Sequence, residues 1–360
     1  MNKLLKNFLS SSVHSPLGDK LLTLGGGKKL QAILYVRSSK KKLLEEAKLE
    51  YEKGSSLGNL EDFKQALNKH WVSYSEYAHQ YEFHKRTEEE REKYVSRLRM
   101  RYFYMRYGSG IPRPLFRNKP KFLKAFDKYI HRKWLFVPNA SYNEFVDLVN
   151  NSDCIVKPCD SALGKGIYKI KKCTDPYENR EVFDECVKKR MLIEECIEQC
   201  EELKAFHPQS LNTIRVVTIS NRKNAEVFGS FIRMGVGDSV IDNAHAGGVF
   251  AQINIKTGKI ESDGINTDGE RYIYHPDSKL KINGFIIPQW NTIVETCCEA
   301  AKLTDNPITG WDVAINSKGN IEFVEGNHCP DFDVMQSPLQ VGVKKRIFSL
   351  IKEYCGIEMK

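Results

Sequence analysis

Residues 310–329 read GWDVAINSKGNIEFVEGNHC, in which two strand-like runs flank a short turn. The runs WDVAI and IEFVE are separated by NSKGN, a pattern that predicts a β-hairpin. If the hairpin pairs Asp312 with Glu325, two carboxylates stand side by side at its open end, close to Asn327. Like charges there are destabilising unless something positive lies between them. Because carboxylates and an amide oxygen suit Mg²⁺, we predict a metal site formed by Asp312, Glu325 and Asn327; an exposed hairpin with incidental acids is the alternative.

A second candidate binding segment is IVKPCDSALGKGIYKI at residues 155–170. A strand is predicted to end near Lys157, and a loop of small residues with Gly164 and Gly166 precedes the next strand. Glycines let backbone N–H groups approach phosphate oxygens, and the lysine supplies positive charge. A strand rather than a helix follows the loop, so the segment is neither a Walker A motif nor GxGxxG. By itself it predicts either a phosphate-binding loop or an ordinary glycine-rich hairpin.

Composition restricts the class of protein. The 360 residues are enough for two or three domains, and 41% hydrophobic with 28% charged residues is typical of a soluble globular protein. The ten cysteines form no CxxC pair, which argues against zinc and favours a reducing, cytoplasmic location. No apolar run approaches the roughly 20 residues of a membrane-spanning helix, and the first residues are too weakly apolar for a secretory signal.

The N-terminal third differs from the rest in charge and periodicity. Residues 1–135 hold about 29 Lys and Arg against about 14 Asp and Glu, which leaves the remainder acidic. Apolar residues three and four apart over residues 40–107 predict helices, and strand-like runs joined by hairpin turns begin near residue 115. A basic helical module could contact an anionic glycan, a membrane surface or nucleic acid; a solvated helical surface is the alternative.

The order of these segments resembles that of the ATP-grasp superfamily. Lys157, the glycine loop, LIEECIEQC, NTIRVVT and the carboxylate hairpin follow one another along the chain. The further runs AHAGGVFAQINIKTGKI, TGWDVAI and FVEGNHCPDFDVMQ are similar to the sugar-transfer-associated branch of that superfamily, over roughly residues 115–350. The resemblance implies an α+β, ATP-grasp fold, in which two α+β subdomains clasp ATP between antiparallel sheets, with a mainly helical N-terminal extension.

The resemblance also implies a division into domains. Residues 1–114 would form the basic helical module and residues 115–360 the ATP-grasp catalytic domain. Within the latter, about 155–200 would be the glycine-loop and adenine-side subdomain, and about 205–350 the metal-binding subdomain.

Several residues acquire roles from the same resemblance. Lys157 would touch the nucleotide phosphates beneath the glycine loop, Cys196 would supply hinge backbone to adenine, and Glu202 or Glu198 would accept the ribose hydroxyls. Either Lys119 or Lys121 would match the family's upstream phosphate-binding lysine. The complete nucleotide-binding set is Lys157, Ser161, Gly164, Gly166, Glu194, Glu195, Cys196, Ile197 and Glu202.

One departure from the family pattern concerns catalysis. Related ligases carry an arginine two residues before the metal aspartate, whereas Gly310 stands there in this chain. Arg215 and Arg233 are the predicted replacements, because a cation among apolar strand residues usually has an anionic partner. A salt bridge to a sheet carboxylate is the alternative for both. For His245 two interpretations are equally favoured: it binds substrate or acts as a base, or it is an ordinary loop residue. His328 could line the same cavity, and His275 is predicted to lie in a turn.

The resemblance implies an ATP- and Mg²⁺-dependent ligase, with Mn²⁺ as a possible substitute, that joins a carboxylate to an amine through an acyl phosphate. The implied setting is bacterial surface polysaccharide biosynthesis, with a sugar or amino acid among the substrates. An anionic glycan or the inner membrane face is a further expected partner, and nucleic acid is not expected. Two alternatives stay open: a kinase acting on a sugar hydroxyl, and a non-catalytic basic scaffold or nucleic-acid-binding protein.

Overall fold

The computed structural model describes residues 27–107, 112–159, 166–237 and 248–359. The chain divides into two compact units, one formed by Met1–Gly110 with Asp331–Ser349 and the other by Ile111–Pro330 with Leu350–Lys360. Residues 331–349 thus group with the N-terminal residues by their contacts. The predicted domain boundary between residues 114 and 115, and the two subdomains within the catalytic domain, stay predictions.

The first unit is built on helices. The α-helices described before residue 108 are α1 (Gly27–Glu52), α2 (Leu60–His70), α3 (Glu88–Arg91) and α4 (Arg97–Tyr107). A π-helix (Glu76–Gln80) and a 3-10 helix (Phe83–Lys85) lie between α2 and α3. The side chain of Asn59 accepts the Asp62 N–H at the start of α2, and Thr87 forms a capping box with Glu90 at the start of α3. Aromatic rings fill the core between the helices, among them Phe63, Tyr77, Tyr81 and Phe83.

Some of the basic residues of this unit have a structural task. The Lys40 Nζ donates to the carbonyl of Asn68, and Arg99 Nη2 donates to that of Lys69, at the C-terminus of α2. Both cations also lie over the Trp71 ring, each 5.0 Å from its centroid. Cations at a helix C-terminus satisfy its last carbonyls and complement the helix dipole. This part of the positive charge therefore stabilises the helical unit itself.

The second unit contains two antiparallel sheets. The smaller one has the order β1-β4-β2-β3, and its flanking helices are α7 and α8. The bounds are β1 (Trp134–Phe136), α7 (Tyr142–Asn151), β2 (Cys154–Pro158), β3 (Tyr168–Ile170), α8 (Pro176–Lys188) and β4 (Met191–Glu195). Two short helices, α5 (Pro112–Arg117) and α6 (Lys119–Ala125), precede β1, and α9 (Glu201–Lys204) follows β4.

The larger sheet has seven strands in the order β11-β10-β5-β6-β7-β8-β9. Their bounds are β5 (Thr213–Ser220), β6 (Ala225–Met234), β7 (Val249–Ile253), β8 (Gly264–Ile265), β9 (Arg271–Tyr272), β10 (Ile308–Ile315) and β11 (Ile321–Asn327). Helix α10 (Trp290–Lys302) packs on β5 and β6 through Ile293 and Cys297, and Trp311 lies in the same core. The last helix is α11 (Lys344–Cys355). The two antiparallel sheets with separate helices confirm the predicted α+β class.

The β10–β11 hairpin has the register expected from its turn. Asp312 lies opposite Glu325, and Gly310 lies opposite Asn327. The ladder then skips Val324, because Val313 pairs with Phe323. This bulge increases the local twist and changes which side chains share a face. Among the helices that the structure describes, none combines the length and apolar composition needed to cross a membrane.

Candidate nucleotide and metal site

One face of the larger sheet collects charged side chains. Residues paired across an antiparallel ladder point to the same side, so Asp312 shares a face with Arg215 on β5 and with Glu325 on β11. Arg233 on β6 joins them, because it pairs with Thr213, two residues before Arg215. The opposite face, with Trp311, packs into the apolar core. The alternation of β5, β6 and β10 therefore directs these charges away from the core.

Two arginines converge on the Asp312 carboxylate. Arg215 donates through Nη2 to Oδ2 at 2.8 Å and through Nε to Oδ1, and Arg233 Nη2 lies 2.9 Å from Oδ2. Arg233 also donates to the Thr213 hydroxyl, 2.7 Å from Nη2. Asp312 is fully buried. Burial alone would raise the pKa of this carboxyl, but Arg215 and Arg233 together hold it below its ordinary value. The salt-bridge alternative for both arginines is therefore present in this structure.

Gly310 leaves room for one of these arginines. A Cβ atom at position 310 would lie 3.1 Å from Arg215 Cδ and 3.4 Å from its Nη1, and 3.1 Å from Pro330 Cβ. These distances are tighter than ordinary van der Waals contacts. The guanidinium of Arg215 thus lies beside the strand position at which related ligases carry their arginine.

The other two predicted metal ligands are accessible. Glu325 is exposed and forms no hydrogen bond or ion pair with another residue that the structure describes. Asn327 is half-buried, and its Oδ1 accepts the Cys329 N–H at 2.8 Å, which leaves a second lone pair on that oxygen. His328 stacks on the Phe116 ring, with centroids 6.4 Å apart. Oxygen donors of a carboxylate and an amide are thus within one strand end.

A chain of buried ion pairs lies beside this face. Lys157 Nζ is 2.8 Å from Glu194 Oε2, and Arg132 Nε is 2.9 Å from the same oxygen. Arg132 Nη1 donates to Glu322 Oε1 at 2.6 Å and to the Phe323 carbonyl at 2.8 Å. The chain therefore runs from β2 through β4 to β11, so that the smaller sheet is tied to the hairpin that carries Glu325.

The carboxyl of Glu194 is the centre of that chain. Burial would raise its pKa, but Arg132 and Lys157 lower it below the ordinary value, so it is ionised. Its second oxygen, Oε1, is buried and has no hydrogen-bond partner among the described residues. A buried carboxylate oxygen without a donor is costly, and a donor from a ligand would satisfy it.

The remaining residues of the predicted adenine side have mixed positions. Glu195 accepts the Ser152 hydroxyl at 2.7 Å and the Lys133 N–H at 3.2 Å, so its carboxylate is used within the smaller sheet. The Cys196 N–H donates to the Asp153 carbonyl at 2.8 Å, so the carbonyl of Cys196 is the backbone group that remains for the predicted contact with adenine. Ile197 is half-buried, and Glu202 is exposed.

Of the two upstream lysines, Lys119 lies next to β2, the strand that carries Lys157. Its Nζ donates to the Pro158 carbonyl at 3.1 Å, whereas Lys121 is exposed. Burial lowers the pKa of Lys119; Glu325 acts in the opposite direction, and Lys157 adds to the lowering. The electrostatic influence of Glu325 and Lys157 shows that the three groups are close enough to interact.

The predicted glycine loop is described only at its end. Gly166 has a φ of +74°, which favours glycine, and a Cβ there would lie 3.1 Å from Pro158 Cγ. Ser161, Gly164 and His245 lie outside the described residues. His275 is buried in the turn predicted for it: its Nδ1 accepts the Asp277 N–H, and its Nε2 lies 2.8 Å from the Gly235 carbonyl oxygen.

Sequence reasoning missed Arg132 and Glu322. Both side chains are buried and charged, and they form an ion pair with each other. An acid inside the apolar strand IEFV was the available signal, because a buried carboxylate is almost always paired. Nothing in the sequence identified its partner, which lies 190 residues away.

Comparison with known proteins extends these observations. A model of the family described as "Sugar-transfer associated ATP-grasp" matches residues 103–352. No curated protein sequence matches the chain significantly.

The solved structures that match the chain include those of three enzymes. The ATP-grasp ligase PsnB, complexed with a minimal precursor, is 15% identical, with a TM-score of 0.42 over 69% of this chain and 64% of that one. The D-alanine-D-alanine ligase from Coxiella burnetii is 10% identical, with a TM-score of 0.36 over 68% and 62%. Biotin carboxylase from Campylobacter jejuni is 13% identical, with a TM-score of 0.41 over 68% and 47%.

The aligned part of this chain thus spans less than two thirds of each of these three proteins. Family membership rests on the sequence match, which covers more than half of the chain and includes both sheets and the charged hairpin. The chain belongs to the family of sugar-transfer associated ATP-grasp proteins.

Proposed function

We propose that the protein is an ATP- and Mg²⁺-dependent ligase that joins a carboxylate to an amine. The observation that carries the proposal is the convergence of Arg215 and Arg233 on Asp312, directly opposite the exposed Glu325. Paired guanidinium groups beside hard oxygen donors suit a triphosphate with its divalent cation. Membership of the ATP-grasp family supports the same reaction class.

The groups on the smaller sheet fit the nucleotide. Lys157 and Lys119 would supply two ammonium groups to the phosphates, since Lys157 lies near the end of β2 and the Lys119 Nζ donates to the carbonyl of Pro158, the last residue of that strand. Glu194 would accept a hydrogen bond from the adenine amino group through its partnerless Oε1. The predicted contacts of Ser161, Gly164, Cys196, Ile197 and Glu202 with nucleotide belong to this proposal.

The donors on the hairpin fit Mg²⁺, and Mn²⁺ could replace it. Glu325 would be the first ligand, because it is exposed and has no partner among the described residues, and Asn327 and Asp312 would add oxygens. The cation would neutralise charge on the phosphates during transfer. Arg215 and Arg233 would stabilise the transferring phosphoryl group through charge-assisted hydrogen bonds.

The reaction would have two steps. An oxygen of the substrate carboxylate forms a bond to the terminal phosphorus of ATP, while the bond from that phosphorus to the ADP oxygen breaks. The amine nitrogen then attacks the acyl carbon, inorganic phosphate leaves, and the amine loses a proton. The protein need supply no nucleophile, so its contribution is positioning and charge stabilisation.

For the setting, we propose biosynthesis or modification of a bacterial surface polysaccharide in the cytoplasm, with a sugar or amino acid among the substrates. The family description supports the link to sugars, and the ten free cysteines suit a reducing compartment. The basic helical unit would suit an anionic glycan or the inner membrane face, and we expect no role for nucleic acid.

Substitution of Glu325 tests the assignment. Glu325→Gln should lower ATP turnover, followed as phosphate release with pools of amino acids and sugar acids, by at least about 100-fold, because a metal ligand is lost. Glu295→Gln is the matched control, since Glu295 is exposed on α10 in the same unit. Near-wild-type turnover in Glu325→Gln would contradict the metal assignment.

Product analysis tests the reaction class. A ligase yields an amide, ADP and inorganic phosphate. A phosphorylated acceptor without an amide would instead identify a kinase and overturn the ligase proposal.

A further inference from the structure

Both oxygens of the Asp312 carboxylate contact guanidinium groups in the arrangement that the structure shows. Arg215 contacts Oδ1, and Arg215 and Arg233 both contact Oδ2. Mg²⁺ requires oxygen ligands in close to octahedral geometry and is repelled by guanidinium groups at the same carboxylate. Asp312 is therefore a poor metal ligand until at least one of the two arginines moves.

An arginine can move away from Asp312 at low cost only if another anion compensates its charge. Separation of a buried ion pair leaves an uncompensated charge, which typically costs several kcal/mol unless another ion takes the vacated place. The Arg215 guanidinium therefore needs a second anion before it releases Asp312. A terminal phosphate offers oxygens with the geometry that a guanidinium prefers.

We propose that Arg215 and Arg233 form a phosphate site that the Asp312 carboxylate fills when no nucleotide is bound, and that the terminal phosphate displaces it. Asp312 then becomes a metal ligand only after the nucleotide has entered. The inference rests on the proposed function and adds an order of events: the nucleotide phosphate and the metal arrive together, and the free protein holds the metal weakly.

The neighbouring ion chain shows what a permanent arrangement looks like. The side chain of Arg132 is 3% exposed and is held by two carboxylates and the Phe323 carbonyl. The side chains of Arg215 and Arg233 are 10% and 16% exposed, so they lie nearer the surface.

The first measurement uses the wild-type protein. Mn²⁺ binding, followed by electron paramagnetic resonance, should be weak without nucleotide and at least about tenfold tighter with a non-hydrolysable ATP analogue, a change that corresponds to 1.4 kcal/mol. Equal Mn²⁺ affinity with and without the analogue would overturn the inference. This measurement does not depend on the folding of a variant.

The second measurement uses Asp312→Asn, which keeps the shape of the side chain and removes its charge. Calorimetry without divalent metal should show a non-hydrolysable ATP analogue and inorganic phosphate binding about tenfold more tightly than to wild type, because the Asp312 carboxylate no longer competes for the arginines. Addition of Mg²⁺ should then improve binding of the analogue less than it does in wild type. Unchanged or weaker metal-free binding by the folded variant would contradict the exchange.

Glu295→Gln is the control for overall charge. It removes one negative charge from an exposed position on α10 in the same unit. Metal-free binding of the ATP analogue should not become tighter in this variant. An equal gain in both variants would assign the effect to overall charge and overturn the exchange.

The outcomes separate this inference from the proposed function. If wild type binds nucleotide with Mg²⁺, but in metal-free buffer Asp312→Asn binds nucleotide no more tightly than wild type does, only the exchange is wrong. If wild type binds no nucleotide under any condition, both proposals are wrong.

Discussion

The two buried ion clusters of the second unit differ in burial and anchoring. Between the sheets, Lys157 and Arg132 face Glu194 and Glu322, and the Arg132 side chain is 3% exposed and also contacts the Phe323 carbonyl. On the larger sheet, Arg215 and Arg233 both contact the carboxylate of Asp312, and their side chains are 10% and 16% exposed. The comparison favours a structural role for the first cluster and supports the proposed exchange of the anion at the second.

The comparison also assigns different consequences to the same kind of mutation. Removal of one ion from a matched buried set leaves a charge without compensation, which is strongly destabilising. Removal of Asp312 leaves two arginines near the surface of the site, where water or a phosphate can compensate them. Stability should therefore respond most to the first cluster, and ligand binding to the second.

The largest expected effect on stability comes from Arg132→Met. The substitution leaves Glu194 and Glu322 buried with only Lys157 as a cation, so the free energy of unfolding should fall by about 3–5 kcal/mol. Urea denaturation measures the change. The double variant Arg132→Met/Glu322→Gln keeps the Lys157–Glu194 pair balanced and should recover part of the loss. If the double variant recovers no stability, unbalanced charge is not the cause of the stability lost in Arg132→Met.

A smaller effect is expected from acid on the Asp312 cluster. Arg215 and Arg233 hold the folded-state pKa of Asp312 below its ordinary value of 3.8, so its ion pairs contribute stability above that value, and the contribution is lost as pH falls through the folded-state pKa. Wild type should therefore exceed Asp312→Asn in unfolding free energy at pH 6, by about 2 kcal/mol, and the gap should close well below pH 3.8. Thermal denaturation across this pH range measures it. A difference in unfolding free energy between wild type and Asp312→Asn that stays constant with pH would show that the ion pairs do not cause it.

The smallest expected effect distinguishes two neighbouring lysines. Lys119→Met should weaken ADP binding about fivefold, because its ammonium lies at the end of the Lys157 strand. Lys121→Met changes an exposed residue on the same helix and should leave the affinity within about twofold of wild type. Calorimetry with Mg·ADP measures both. A greater loss of ADP affinity in Lys121→Met than in Lys119→Met would instead assign the phosphate contact to Lys121.

The sequence predicted the parts of the site that depend on local pattern. The turn NSKGN placed Asp312 opposite Glu325, and the apolar residues three and four apart over residues 40–107 predicted helices that the structure shows there. The family match confirms the predicted resemblance and fold class. These features follow from turn chemistry, helical periodicity and strand alternation.

The parts that the sequence could not predict depend on irregularity or on distant partners. The bulge at Val324 places Glu322 and Glu325 on one face although they are three residues apart, which strict alternation would not allow. The pairing of Glu322 with Arg132 joins residues far apart in the chain. The choice between Lys119 and Lys121 depended on where α6 begins, which the Asn118 cap determines.

Calorimetric titration of wild-type protein with ADP, with and without millimolar Mg²⁺, tests the central claim most directly. The account predicts saturable binding with Mg²⁺ and clearly weaker binding without it. No heat of binding in the presence of Mg²⁺ would contradict the claim that this charged face holds a nucleotide and its metal.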